Sequence, residues 1–259
     1  MPMLSKVYAD VYFGLDTTGS MFACKGQARR NIKASTCQLF EALPNVRIGY
    51  VFYGDYCDAR LSYVTKHHPL SRNLESLCDF VDTVGQTDGG DAPECYEFVL
   101  HEVCEKVLWE EGAAKTFVMV GDSVPHGAHE SQNKLHLDWR ERVDACAKKG
   151  ITVHAVQALN RTYATPFWKE LARRGGGYHF ELGQFSTITD LLMAICYSQA
   201  GNDAVRAYED VVVAAGGMDR DLYASFSKLG GSAPRRERRE YTAPAGLEEV
   251  PSGRFQLIH

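Results

Sequence analysis

Apolar and polar positions along this chain switch repeatedly between a two-residue and a roughly 3.6-residue period. Val7, Val11, Tyr12, Phe13 and Leu15 are β-branched, aromatic or apolar and predict a first strand. The chain then turns polar at Asp16-Thr17-Thr18-Gly19-Ser20, and a helical pattern runs from Ser20 to about Leu43, with Phe22, Ile32, Leu39 and Phe40 inward. Val46 to Tyr53 reads as a second strand, Gly54 to Asp58 as a turn, and Leu61 to Thr65 as a short strand that pairs back at a sheet edge. Leu70 to Val84 reads as a helix. A polar loop from Gly85 to Glu94 leads into another helix that opens at Pro93, with Asp91 as its cap, and ends near Glu110.

Lys115 to Gly121 is nearly all apolar, as a strand buried on both faces should be. A helix over Leu135 to Lys149, a strand over Ile151 to Ala158, a helix over Thr165 to Arg174, a strand over Tyr178 to Leu182 and a helix over Ile188 to Ser198 complete the pattern. Alternating strands and helices predict an α/β, doubly wound, Rossmann-like parallel sheet with one antiparallel edge strand and helices on both faces. That unit spans residues 1–200. Residues 201–259 read as a C-terminal helical extension, with helices over Ala204 to Ala214 and Arg220 to Leu229, followed by an arginine-rich tail and a possible terminal strand near Arg254.

Bulk properties narrow the classes. A net charge of −5 argues against a dedicated nucleic-acid binder, and no apolar run is long enough to span a membrane. The first residues lack the apolar core of a signal peptide, so a cytoplasmic location is expected. The eight cysteines are scattered without a Cys-x-x-Cys pair, which reads as thiols in a reducing compartment rather than a zinc site.

Chemistry concentrates at strand ends. Asp16, Thr18 and Ser20, spaced i, i+2, i+4, leave the first strand together, and Asp122 leaves the most apolar strand. In a right-handed doubly wound sheet these two strands are neighbours at the switch point, where ligands bind. Two facing carboxylates repel unless a cation lies between them. Hydroxyl and carboxylate oxygens suit a hard divalent ion. Alternatively, Thr18 or Ser20 caps the helix and Asp16 favours its positive end.

With Thr87 preceding Gly-Gly-Asp-Ala-Pro-Glu94, the set Asp16-Thr-Thr-Gly-Ser20 with Met21 and Asp122 resembles a von Willebrand factor type A domain carrying a metal-ion-dependent adhesion site. Tyr53-Gly-Asp55 and Asp122-Ser-Val-Pro-His-Gly127 further resemble the intracellular subgroup found in alpha-kinase-associated and related microbial proteins. The resemblance covers about residues 5–200. It implies that Asp16, Thr18, Ser20, Thr87 and Asp122 hold Mg²⁺ (or Mn²⁺ or Ca²⁺), directly or through water. It also implies that a partner protein's Asp or Glu completes the coordination. Thr18 stands where serine is common in the family, a departure that keeps the hydroxyl.

The expected function is therefore a metal-dependent protein-binding module, without enzymatic activity, nucleic acid or membrane. One alternative is a Mg²⁺-dependent phosphohydrolase or phosphotransferase. Against it, Thr18 stands where an aspartyl-phosphate enzyme wants a second carboxylate, and no Gly-x-x-x-x-Gly-Lys loop is present. Another alternative is a scaffold whose site is filled by a second copy or by its own tail, where Glu248 and Glu249 lie. His126 and His129 read as polar loop histidines, Asp55 and Asp58 as turn residues, and Asp88 and Asp91 as capping and turn residues.

Overall fold

In the computed structural model, the described residues are 8–22, 33, 36–37, 39–41, 43, 45–90, 92–182, 187–232, 247–250 and 254–257. Six strands form the central sheet in the order β3-β2-β1-β5-β7-β8. They are β1 (Ala9–Asp16), β2 (Val46–Tyr53), β3 (Thr65–Ser71), β5 (Ala114–Gly121), β7 (Ile151–Ala158) and β8 (Gly176–Leu182). All neighbours run parallel except the edge pair β2–β3. The α/β class expected from the alternating pattern is the one observed.

Alternation along β1 explains its near-continuous apolar run. Ala9, Val11, Phe13 and Leu15 join one core, while Tyr12 joins the other. Gly14 faces the second core beneath Phe117, whose ring would lie 2.8 Å from a Cβ at that position. The second core packs helices α3 (Tyr96–Glu105), α4 (Trp139–Lys148) and α5 (Thr165–Arg174) on one face. The first core packs α2 (Leu74–Asp82) and α6 (Ile188–Ser198) on the other. Val205, Tyr208 and Val212 of α7 (Asn202–Ala214) and Leu222 and Phe226 of α8 (Arg220–Lys228) belong to the same core as α6. The two helices beyond residue 200 are thus built onto the sheet domain. Within the expected 20–43 helix, α1 (Gly19–Phe22) and residues 33, 36–37 and 39–41 are helical. A hairpin of β9 (Leu247–Val250) and β10 (Arg254–Leu257) is found where a terminal strand was expected.

Several boundaries differ from the sequence reading. The edge strand starts at Thr65 rather than ending there, because the chain first makes a 3₁₀ turn over Tyr56–Arg60. Pro69 is tolerated in that strand because it is an edge strand. Pro93 does not open a helix: Pro93–Glu94 forms a two-residue strand, β4, beside β6 (Val124–Pro125), and the helix starts at Tyr96. Asp91, expected as its cap, lies outside the described residues. Asp138 caps α4 by accepting the Arg140 N–H at 2.7 Å, so that helix starts later than Leu135. Among the described residues, no helix is long and apolar enough to cross a membrane. Cys57 is exposed, whereas Cys95, Cys104, Cys146 and Cys196 are buried.

Candidate metal centre

The carboxyl end of β1 delivers Asp16 into a buried pocket between three loops. Asp16 Oδ1 accepts the Thr18 N–H at 2.8 Å and the Thr18 hydroxyl at 2.5 Å. The chain between them is pinned by Thr17, whose N–H and hydroxyl both donate to the Tyr53 carbonyl at the end of β2. The Thr17 carbonyl in turn accepts the Thr87 N–H at 3.1 Å, and the two threonine hydroxyls stand 3.2 Å apart. Thr17 thereby joins both the end of β2 and the Thr87 loop to the end of β1.

Asp58 shapes the second loop. Its Oδ2 accepts the Asp55 and Gly89 N–H groups at 2.8 and 3.1 Å, and its Oδ1 accepts the Asp88 N–H at 2.8 Å. Three backbone donors on one buried carboxylate hold residues 87–89 against the 3₁₀ turn. Gly89 has a φ of 78°, and a Cβ there would lie 2.8 Å from the Thr18 Cβ. The close approach of that loop to Thr18 requires glycine.

Asp122 follows β5 on the neighbouring side. Asp16 and Asp122 are both buried and act on one another as like charges. Tyr96, at the start of α3, links them: its hydroxyl donates to Asp16 Oδ2 at 2.9 Å and accepts the Ser123 N–H at 3.1 Å. Asp122 Oδ2 also faces the Arg161 Nε at 3.3 Å.

Burial, above all, pushes the Asp16 carboxyl up to about 7, against the pull of its Thr18 and Tyr96 hydrogen bonds. Glu94 is pushed up to about 10 by burial and then by the charges of Asp16 and Asp55. Its Oε2 is buried without a hydrogen-bond partner among the described residues. Buried carboxyl groups whose ionisation is disfavoured, one of them with an orphaned oxygen, form an environment that a cation would relieve, and carboxylate and hydroxyl oxygens are hard donors. Among the described residues, no group of three or more His, Cys, Asp or Glu is arranged to hold a metal. Any donor set at this rim would have to combine the carboxylates of Asp16 and Asp122 with hydroxyls such as Thr18 and Thr87, oxygen donors of the kind a hard divalent ion takes.

Of the five residues expected to form the site, Asp16, Thr18, Thr87 and Asp122 lie buried around this rim. The Ser20 side chain lies outside the described residues. Thr87 reaches Thr17 rather than Thr18. The tyrosine and arginine that tie the loops, Tyr96 and Arg161, carry no signal in the sequence pattern. Glu94 stood out only within the resemblance. His126 is not an ordinary loop histidine: it is buried, with Nε2 2.8 Å from Asp55 Oδ1 and Nδ1 2.7 Å from Glu130 Oε2. His129 is exposed, as a loop histidine should be.

No protein-family model matches the chain. No curated protein matches it either. Solved structures do. BatB, a conserved hypothetical protein from Bacteroides thetaiotaomicron, is 15% identical, with 74% of this chain and 98% of that one covered at a TM-score of 0.52. The pilus adhesin SpaC from Lactobacillus rhamnosus GG, in an open conformation, is 12% identical, with 78% of this chain and 30% of that one covered at 0.55. Proximal thread matrix protein 1 from the mussel byssus is 15% identical, with 74% and 48% covered at 0.55. At these identities the likeness concerns the fold, which is von Willebrand factor type A-like within the Rossmann-like class.

Proposed function

We propose that this chain is a divalent-cation-dependent protein-binding module of the von Willebrand factor type A family, with a metal-ion-dependent adhesion site. The observation that carries the reading is the burial of two carboxyl side chains, Asp16 and Asp122, at one strand-end rim, beside Thr18 and Thr87. Asp16, Thr18, Ser20, Thr87 and Asp122 are the residues that would hold Mg²⁺, or Mn²⁺ or Ca²⁺. The ion, when bound, supplies an electrophilic position for an incoming carboxylate. Asp16 is oriented for this by Tyr96, and Thr18 and Thr87 are brought to the rim by the Thr17 backbone and Asp58. Most remaining donors are neutral hydroxyls, which leave the cation open to an acidic side chain of a partner protein.

Binding rather than catalysis is our reading because, among the described residues, no hydroxyl or thiol at the rim is paired with a free general base. His126 is held between Asp55 and Glu130. We place the protein in the cytoplasm, in keeping with cysteines that form no disulfide among the described residues. Thermal unfolding of the full chain should show a rise in Tm with Mg²⁺ or Mn²⁺ that Asp16→Asn abolishes. A cation response that persists in Asp16→Asn and Asp122→Asn would overturn the reading. Steady hydrolysis of generic phosphate esters, lost in Asp16→Asn, would replace it with the enzymatic alternative.

A further inference from the structure

Arg161 stands at the outer edge of the same rim. It follows two consecutive non-glycine residues in the left-handed region, Leu159 at φ 58° and Asn160 at φ 50°. Such backbone is retained where the surroundings hold it in place. Here the buried Gln157 does so, its Nε2 donating to the Arg161 carbonyl at 2.8 Å. The side chain is 48% exposed, although its Nε sits 3.3 Å from the buried Asp122. Among the described residues, Nε is the one guanidinium nitrogen with a partner. Nη1 and Nη2 therefore present a planar fork to solvent at the lip of a carboxylate-lined rim.

Tyr163, two residues on and 56% exposed, approaches the Ser123 Oγ through its hydroxyl at 3.4 Å. It also walls a cleft of about 330 Å³ formed with Val124, Pro125, Trp139 and Phe167. Tyr163 thus joins Ser123, beside Asp122, to that cleft, and Arg161 contacts Asp122 itself. Arginine and tyrosine are the residue types that anchor protein interfaces, and a guanidinium fork matches a carboxylate in two parallel hydrogen bonds.

We propose that Arg161 binds a second carboxylate of the same partner segment that supplies the acidic side chain to the cation, a role that presupposes the cation-dependent reading above. The preferred partner is thus an acidic pair in an extended or turn segment. A lone glutamate or aspartate satisfies the cation and leaves the arginine fork empty. Asp122 contributes by holding Nε, which aims the fork outward.

The test uses the full chain with Mn²⁺ and fluorescently labelled Gly/Ser peptides that carry one glutamate, or two separated by zero to two residues. Anisotropy should show at least one two-glutamate peptide bound about tenfold more tightly than the single-glutamate peptide. Arg161→Gln should erase that preference, so that single- and paired-glutamate peptides bind alike, with the larger loss falling on the paired peptides. Arg161→Lys, which keeps the charge and loses the fork, should restore less than half of the preference. Equal binding of all peptides overturns the proposal, as does an Arg161→Gln loss that falls equally on single and paired peptides, or no binding of any peptide. Chelator-resistant binding instead overturns the cation-dependent reading, whatever Arg161→Gln does.

Discussion

The Tyr96 hydroxyl lies 2.9 Å from Asp16 Oδ2 and donates to it, joining the first residue of α3 to the last residue of β1. Burial pushes the Tyr96 phenol well above its usual value, with the Asp16 charge adding to the effect, so it remains a neutral donor throughout the physiological range. Its oxygen also accepts the Ser123 N–H at 3.1 Å. A single phenol thereby holds the Asp16 and Asp122 loops in register, packed edge-on against Tyr53 and face-on against Phe167.

Tyr96→Phe keeps this packing and removes both hydrogen bonds. It leaves a buried carboxylate oxygen and a buried N–H unpaired, which should destabilise the fold by about 2–3 kcal/mol. Urea denaturation measures the loss. The same variant should weaken cation binding, because Asp16 loses the group that orients it. An unchanged urea midpoint would show that the hydroxyl contributes nothing net.

His126 predicts a pH dependence of a definite sign. Burial disfavours its charge, yet the carboxylates of Asp55 and Glu130 outweigh that and hold the imidazolium up to about 9, above the usual 6.5. Glu97, whose carboxylate accepts the His126 backbone N–H at 3.1 Å, and the Tyr56 ring also face it. A raised histidine stabilises the fold fully below about 6.5, and that stabilisation is lost as the pH rises through about 9. The stability gap between the wild type and His126→Gln should therefore be widest below about pH 6.5 and narrow by about 3 kcal/mol by pH 9 and beyond. Chemical denaturation of both proteins across that window measures it. A gap that widens with pH contradicts the charged pairing.

Legibility from sequence followed how locally each feature is encoded. Val46–Tyr53, Ile151–Ala158, Thr165–Arg174 and Ile188–Ser198 could be placed to the residue because period and flanking turn residues agree there. Asp16 and Asp122 were legible because each ends an apolar strand with an abrupt polar residue. Tyr96 was not, because its role depends on the helix starting at Tyr96 rather than at Pro93, a shift decided by the pairing of Pro93–Glu94 with Val124–Pro125. Arg161 was hidden because Leu159 and Asn160 take up positive φ without a glycine to mark the turn. The burial of His126 depends on Asp55, 71 residues away, and no local pattern reports such a contact.

Asp16 links cation binding to protons. Burial first, with the Asp122 charge adding to it, holds its carboxyl at about 7, above the usual 3.8. In the folded, cation-free chain the acid therefore keeps its proton to about pH 7, whereas the unfolded chain releases it near 3.8. The folded state binds more protons over that range, so this group makes the cation-free protein progressively less stable as the pH rises from about 4 to about 7, with no further change above. A divalent ion at the rim requires the ionised carboxylate and relieves its isolation, so binding there expels the proton. The cation-induced gain in Tm should consequently grow between about pH 5 and about pH 7.5 and then level off. Calorimetric titration with Mg²⁺ in two buffers of different ionisation enthalpy, at a pH near 6, should report net proton release. Asp16→Asn should abolish the release together with the binding. A cation response independent of pH across that window would place the ion away from Asp16.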